Sequence, residues 1–113
     1  MTIERPAADA GPPPSPATIF EAIVKRQCVA AIYNRGEVTL APHMIYTRHD
    51  ELYVDATTLE RDGKPPKEEK MGTFKLAGLA SLRLTPRRFT PSALFVPADP
   101  KYRDVALMGV EVD

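Results

Sequence analysis

Hydrophobic and polar positions change period twice along this chain, and the changes mark its elements. Over the segment from Thr18 to Arg26, apolar residues recur at helical spacing: Ile19, Phe20, Ala22, Ile23 and Val24 fall on one stripe. Glu21, Lys25 and Arg26 lie outside it, and Glu21 can pair with Lys25 at i,i+4. Thr18 and Glu21 have capping-box spacing and Pro16 suits a first helical turn, so a short helix is expected to begin at Ser15-Pro16 or Thr18.

From Gln27 the period becomes two. Cys28 to Tyr33 reads as a strand, Asn34-Arg35-Gly36 as a turn, and Val38 to Tyr46 as a second strand. Its residues Val38, Leu40, Met44 and Tyr46 share a face, and Pro42 among them predicts a bend or an edge. Arg48 to Glu51 forms the next turn. In the third strand, Leu52 to Leu59, Leu52, Val54 and Ala56 oppose Tyr53, Asp55 and Thr57. Glu60 to Lys70, with four charges of each sign and Gly63, Pro65 and Pro66, reads as a solvated loop. Gly72 to Leu76 and Leu79 to Thr85 are a fourth and a fifth strand, with Leu82 and Leu84 inward and Ser81 and Arg83 outward. Pro86 is expected to end the fifth. Val105 to Val112 reads as either a last strand or a packing tail. One helix before five short strands, with a turn about every ten residues, predicts a mainly β (α+β) fold. The expected form is a small five-stranded antiparallel barrel.

Composition refines this picture in three places. The 12 prolines against 6 glycines disfavour a helical bundle, and much of the proline lies in a Pro/Ala-rich opening, residues 1–16, expected to be a disordered tail. Residues 17–90 then hold the helix and barrel, and 91–113 a C-terminal extension. The single cysteine, Cys28, rules out an intrachain disulfide framework, and no apolar run has signal-peptide or membrane-span length. A cytoplasmic protein without a membrane partner is the expectation. Lys+Arg and Asp+Glu both number 15, so no overall charge excess points to a polyanion.

Across residues 19–84 the order of motifs resembles the WYL domain, an Sm-like β-barrel module found mostly in bacterial regulators of transcription and phage defence. Phe20-Glu21-Ala22-Ile23 with Lys25-Arg26 looks like its helix and basic step, and Ile32-Tyr33 like the end of its first strand. Leu40-Ala41-Pro42 with Met44-Ile45-Tyr46 looks like its proline-containing strand. Leu52-Tyr53-Val54 stands where the Trp-Tyr-Leu triplet would, and Phe74-Lys75-Leu76 with Leu79 resembles its last motif. The resemblance implies a non-enzymatic, regulatory, ligand-binding module. Three positions depart from the pattern: Leu52 replaces the Trp, while Gly72 and Gly78 stand where arginines of the family's proposed ligand surface would be. The residues ahead of the helix are too few and too proline-rich for the helix-turn-helix that WYL proteins usually carry, so any role in transcription is expected to run through another protein.

Candidate chemistry follows from local charge. Residues 71–98 contain no acid, whereas Lys75, Arg83, Arg87 and Arg88 are basic. If Lys75 and Arg83 lie on adjacent strands, the four make one patch able to hold phosphates, and Tyr53 or Tyr46 offers a ring for a base to stack on. A nucleotide or short single-stranded nucleic acid is the expected ligand. The alternative is a protein-interaction module that dimerises or docks on a regulatory partner through edge strands and the Val105 to Val112 segment.

Other chemistries lack their constellations. His43, His49 and Cys28 show no zinc-type ligand pair, with His43 expected on a partly exposed strand face and His49 in a turn. Ser15, Ser81 and Ser92 lack a nucleophile-elbow context, Asp50-Glu51 falls in a turn, and no Gly-rich phosphate loop exists. Asp55, the one acid inside an expected strand core, is either a buried hydrogen-bonding partner or a pocket residue. No cofactor and no catalytic activity are expected.

Overall fold

The computed structural model describes residues 14–112, so most of the expected N-terminal tail, including Pro12 and Pro13, lies outside the described residues. Helix α1 spans Pro16–Lys25. Ser15 rather than Thr18 caps it, its hydroxyl accepting from the Ala17 N–H at 3.2 Å. The helix thus begins at Pro16, the earlier of the two expected starts. Ile19, Ala22 and Ile23 are its buried face, and Glu21 pairs with Lys25 at 2.6 Å. Val24 does not belong to that face: it is 69% exposed. Arg26 ends the helix in the left-handed conformation, its N–H returning to the Ala22 and Ile23 carbonyls.

Six antiparallel strands follow: β1 (Gln27–Tyr33), β2 (Gly36–Arg48), β3 (Glu51–Arg61), β4 (Met71–Lys75), β5 (Ala80–Arg88) and β6 (Ala106–Gly109). Two tight turns set the first registers. Asn34-Arg35 and His49-Asp50 each place two consecutive residues at positive φ, the pattern of the type I′ hairpin turn, and Tyr33↔Gly36 and Arg48↔Glu51 close the ladders. The loop between β3 and β4 is exposed throughout, as its charges require. Pro86 lies within β5 rather than ending it. β5 pairs only with β1, so its other edge makes no demand on the missing N–H.

The fold is mainly β, but the five-stranded closed barrel is corrected to an open six-stranded sheet of order β4-β3-β2-β1-β5, with β6 added beside β2. β4 and β5 are not hydrogen-bonded to each other, yet only a four-residue connection containing a 3-10 turn at Leu76–Gly78 joins them. Five Cα steps reach at most about 18 Å when fully extended. Four spacings across a flat five-stranded sheet total about 19 Å. The sheet must therefore curl, and the Tyr33 ring meets Phe74 edge-on at 5.1 Å between β1 and β4.

The sixth strand exists because β2 changes partner along its length. β1 pairs with it only as far as Val29↔Leu40, and β6 takes over on that side at Met44↔Gly109, Ile45↔Met108 and Tyr46↔Ala106. Pro42, without an N–H, and His43, bulged out of the β3 ladder between Pro42↔Ala56 and Met44↔Asp55, fall at the changeover. This realises the bend expected at Pro42. Residues 41–46 of β2 and 54–57 of β3 are buried on both faces rather than one, because the C-terminal segment folds back over them. Among the described residues no helix is long and apolar enough to cross a membrane.

Candidate functional site

The most concentrated chemistry in the molecule surrounds Asp55. β3 places it opposite Thr73 of β4 and opposite Met44, two residues before Tyr46, on β2. Its carboxylate is 1% exposed and accepts four hydrogen bonds. Tyr46 and Thr73 hydroxyls donate to Oδ1, each at 2.8 Å, while Lys101 Nζ at 2.8 Å and the Tyr102 hydroxyl at 2.5 Å donate to Oδ2. The last two come from a 3-10 turn, Pro100–Tyr102, capped by the Asp99 carboxylate, which accepts from the Lys101 N–H at 2.9 Å. The Lys101 ammonium also stands 5.5 and 5.4 Å from the ring centres of Tyr46 and Tyr102.

Burial alone would raise the Asp55 carboxyl, but donation from Lys101, Tyr102, Tyr46 and Thr73 prevails and holds it below the ordinary carboxylate value. Burial and the same carboxylate push the Tyr102 hydroxyl up, so it stays a donor. The cluster is a satisfied ionic tie, which settles Asp55 as a buried hydrogen-bonding partner.

His43 is a second tie. It is fully buried, not partly exposed as expected, because residues 89–95 pack over the bulge that carries it. Its ring contacts Phe89 and Phe95 at 5.2 and 5.3 Å. The partners dictate the tautomer: Nδ1–H donates to the Ala41 carbonyl at 2.7 Å, and Nε2 accepts the Ser92 N–H at 2.9 Å. Burial lowers its basicity more than the Ala41 bond, Glu69 and Asp55 raise it, so the neutral ring is favoured. Cys28 is buried and its thiol is pushed up by that burial, His49 is exposed in the β2–β3 turn, and among the described residues no three metal-ligating side chains converge.

The basic residues are not carried on paired neighbouring strands, as the single-patch expectation required. Lys75 on β4 and Arg83 on β5 sit at opposite ends of the sheet order, not on adjacent strands. Each is matched by an acid: Lys75 with Glu51 at 3.0 Å, Arg83 with Glu37 at 2.9 Å, and Arg87 with Glu60 at 2.8 Å. Arg83, Arg87 and Arg88 are all exposed on β5, Arg83 and Arg87 reaching the acids of β2 and β3 and Arg88 standing beside Ile23, Val24 and Arg26 at the helix end. Tyr46 is withdrawn from any stacking role: it is buried, spent on Asp55, and covered by Tyr53 at 6.2 Å and Tyr102 at 5.3 Å. Tyr53 is half-buried against it. Sequence reasoning missed Lys101 and Tyr102, for which the Asp99-Pro100 turn signal was the sole local cue.

Compared with known proteins, the chain matches no protein-family model, no curated protein and no solved structure.

Two outcomes follow for stability. Asp55→Asn puts amide N–H groups against donors and removes the charge that Lys101 answers. Urea denaturation should show a loss of about 3 kcal/mol, whereas Arg87→Gln, at an exposed ion pair, should change stability by no more than about 1 kcal/mol. For His43, the folded ring is held neutral while the unfolded ring takes a proton at its ordinary value of 6.5. Its contribution is therefore intact above that value and declines as pH falls below it. Urea midpoints measured from pH 7.5 to 5 should fall in the wild type and show a flatter decline in His43→Phe.

Proposed function

We propose that this protein is a non-enzymatic regulatory module of the WYL-like, Sm-like kind, which senses a nucleotide or short single-stranded nucleic acid along β5. One observation carries the reading: Arg83, Arg87 and Arg88 stand exposed on a single edge strand, inside a stretch of sequence that contributes no acid. The acids that answer Arg83 and Arg87 are themselves exposed, with side chains 63% and 39% accessible, so these ion pairs are screened and weak. A phosphate presents a stronger, bidentate partner for the same guanidinium groups. The helix ahead of five successive antiparallel strands, with β5 returned beside β1 and the sheet curled, supports the Sm-like comparison. On this reading the module works in a bacterial cytoplasm and passes its signal to a regulatory protein. The Gly72 and Gly78 departures mean that β5, rather than the family's usual arginines, supplies the phosphate contacts.

A second reading, a protein-interaction or dimerisation module, is favoured by Leu94, Val96, Leu107 and Val112, all about half exposed on the C-terminal segment. Fluorescence anisotropy of a labelled short single-stranded DNA separates the two. The β5 reading expects saturable binding that weakens steeply between 50 and 200 mM salt, on the order of tenfold or more for several phosphate contacts. Arg83→Gln/Arg87→Gln/Arg88→Gln, shown folded by circular dichroism, should lose it. Absence of binding by the folded wild type at low salt overturns the first reading in favour of the second.

A further inference from the structure

Where the Asp55 tie reaches the surface it opens into a cavity of about 450 Å³ lined by Tyr46, Thr47, Arg48, His49, Lys101 and Val105. Its volume lies within the usual range for small-molecule sites, about 300–1,000 Å³. The chemistry of its walls is one-sided. Lys101 lines it with its side chain 40% exposed; of its three ammonium N–H donors one goes to Asp55 Oδ2 and one faces the Tyr46 side chain, which leaves one to spare. Arg48 and His49 stand exposed at the rim, held there by the two-residue β2–β3 turn, in which His49 takes φ 53°. The Lys101 charge is offset by Asp55, which leaves Arg48 as the cation of the lining that no ion pair answers among the described residues. Nearby acids are occupied or turned to other work: Glu51 pairs with Lys75, and the Asp99 carboxylate caps the backbone N–H of Lys101. Asp50 and Asp104 are exposed acids in the adjoining turns, outside the lining.

We propose that this cavity binds the phosphate of a small phosphomonoester. Arg48 supplies a fork for two phosphate oxygens, Lys101 donates its spare N–H, and His49 lines the opening beside them. Arg48 and His49 are the specificity-bearing pair, since Lys101 is already fixed by the fold. The rigidity of Lys101 favours binding: its ammonium is held by Asp55 and two tyrosine rings before any ligand arrives, so little side-chain freedom remains to be lost. The site shares none of the β5 arginines and stands whether or not β5 holds nucleic acid.

The test is titration of the ¹⁵N-labelled protein with inorganic phosphate, AMP and, as the carboxylate arm, succinate, following the amide shifts of Thr47, Arg48, His49 and Lys101. The expected result is saturable shifts at these amides with phosphate and AMP, tighter than with succinate. Arg48→Gln/His49→Asn, exposed substitutions at the end of β2 and in the turn after it, where Asn tolerates the left-handed backbone, should weaken binding at least tenfold. The β5 triple variant should bind unchanged. Absent or non-saturating shifts in the wild type would overturn the proposal, as would shifts abolished by the β5 variant or unaffected by Arg48→Gln/His49→Asn. Tighter binding of succinate than of phosphate would overturn the choice of ligand.

Discussion

Four donors meeting one buried carboxylate is the interaction on which the C-terminal third of this molecule depends. An ionised Asp55 without partners would be ruinous in this core, since each unmet charge or hydrogen-bonding group costs several kcal/mol. Tyr46 and Thr73 satisfy one oxygen from within the sheet, but the other oxygen is met only by Lys101 and Tyr102, 46 and 47 residues further along. The sheet therefore has an unfinished polar centre until the chain returns to complete it. Closure of that centre brings the 3-10 turn down on Tyr46, and from there the chain has only three residues, 103–105, before it begins to pair as β6.

The second constraint is geometric. β2 is 13 residues long and no single neighbour follows it throughout. Where Pro42 and the His43 bulge turn it away from β1, its edge from Met44 to Tyr46 needs another strand, because buried backbone groups must be paired. β6 supplies that strand, the Thr47 N–H to Val105 carbonyl bond extends it at one end, and the Val110 N–H to His43 carbonyl bond closes it at the other. The bulged histidine does two jobs here: its carbonyl receives the end of β6, and its ring receives the Ser92 N–H. Electrostatics and topology thus converge on residues 89–110, which act as a strap across the open side of the sheet.

What was legible in the chain was whatever its neighbours in sequence determine. The helix, the first four strands and the positions of the two tight turns come from apolar period and local turn chemistry, and Asp55 stood out as an acid within a strand. The misreadings share one cause, contact between residues far apart in sequence. His43 looked half-exposed because nothing local announces that Phe89 and Phe95 cover it. Residues 41–46 looked one-sided because their second cover arrives with the strap. Val24 looked apolar enough for the core, yet the helix meets the sheet through Ile19, Ala22 and Ile23 with half-buried Phe20 beside them, and leaves Val24 exposed. Lys75 and Arg83 looked like neighbours because β4 and β5 are consecutive, whereas the sheet sends them to opposite ends. Arg48, His49 and Lys101 carried no shared sequence signal, since the strap brings the third to the turn that holds the other two.

If the Asp55 tie holds the strap, its loss must be felt along the whole strap and not just at the two side chains that donate to it. Native-state hydrogen exchange tests this directly, with the amides of Ser92, Val105, Met108 and Val110 compared between the wild type and Tyr102→Phe, which removes one donor and keeps the ring. The account predicts that protection at all four falls together while that of Val29 and Ala31, deep in β1, is retained. Protection lost only around residues 101–103, with Ser92 and Val110 unchanged, would contradict it.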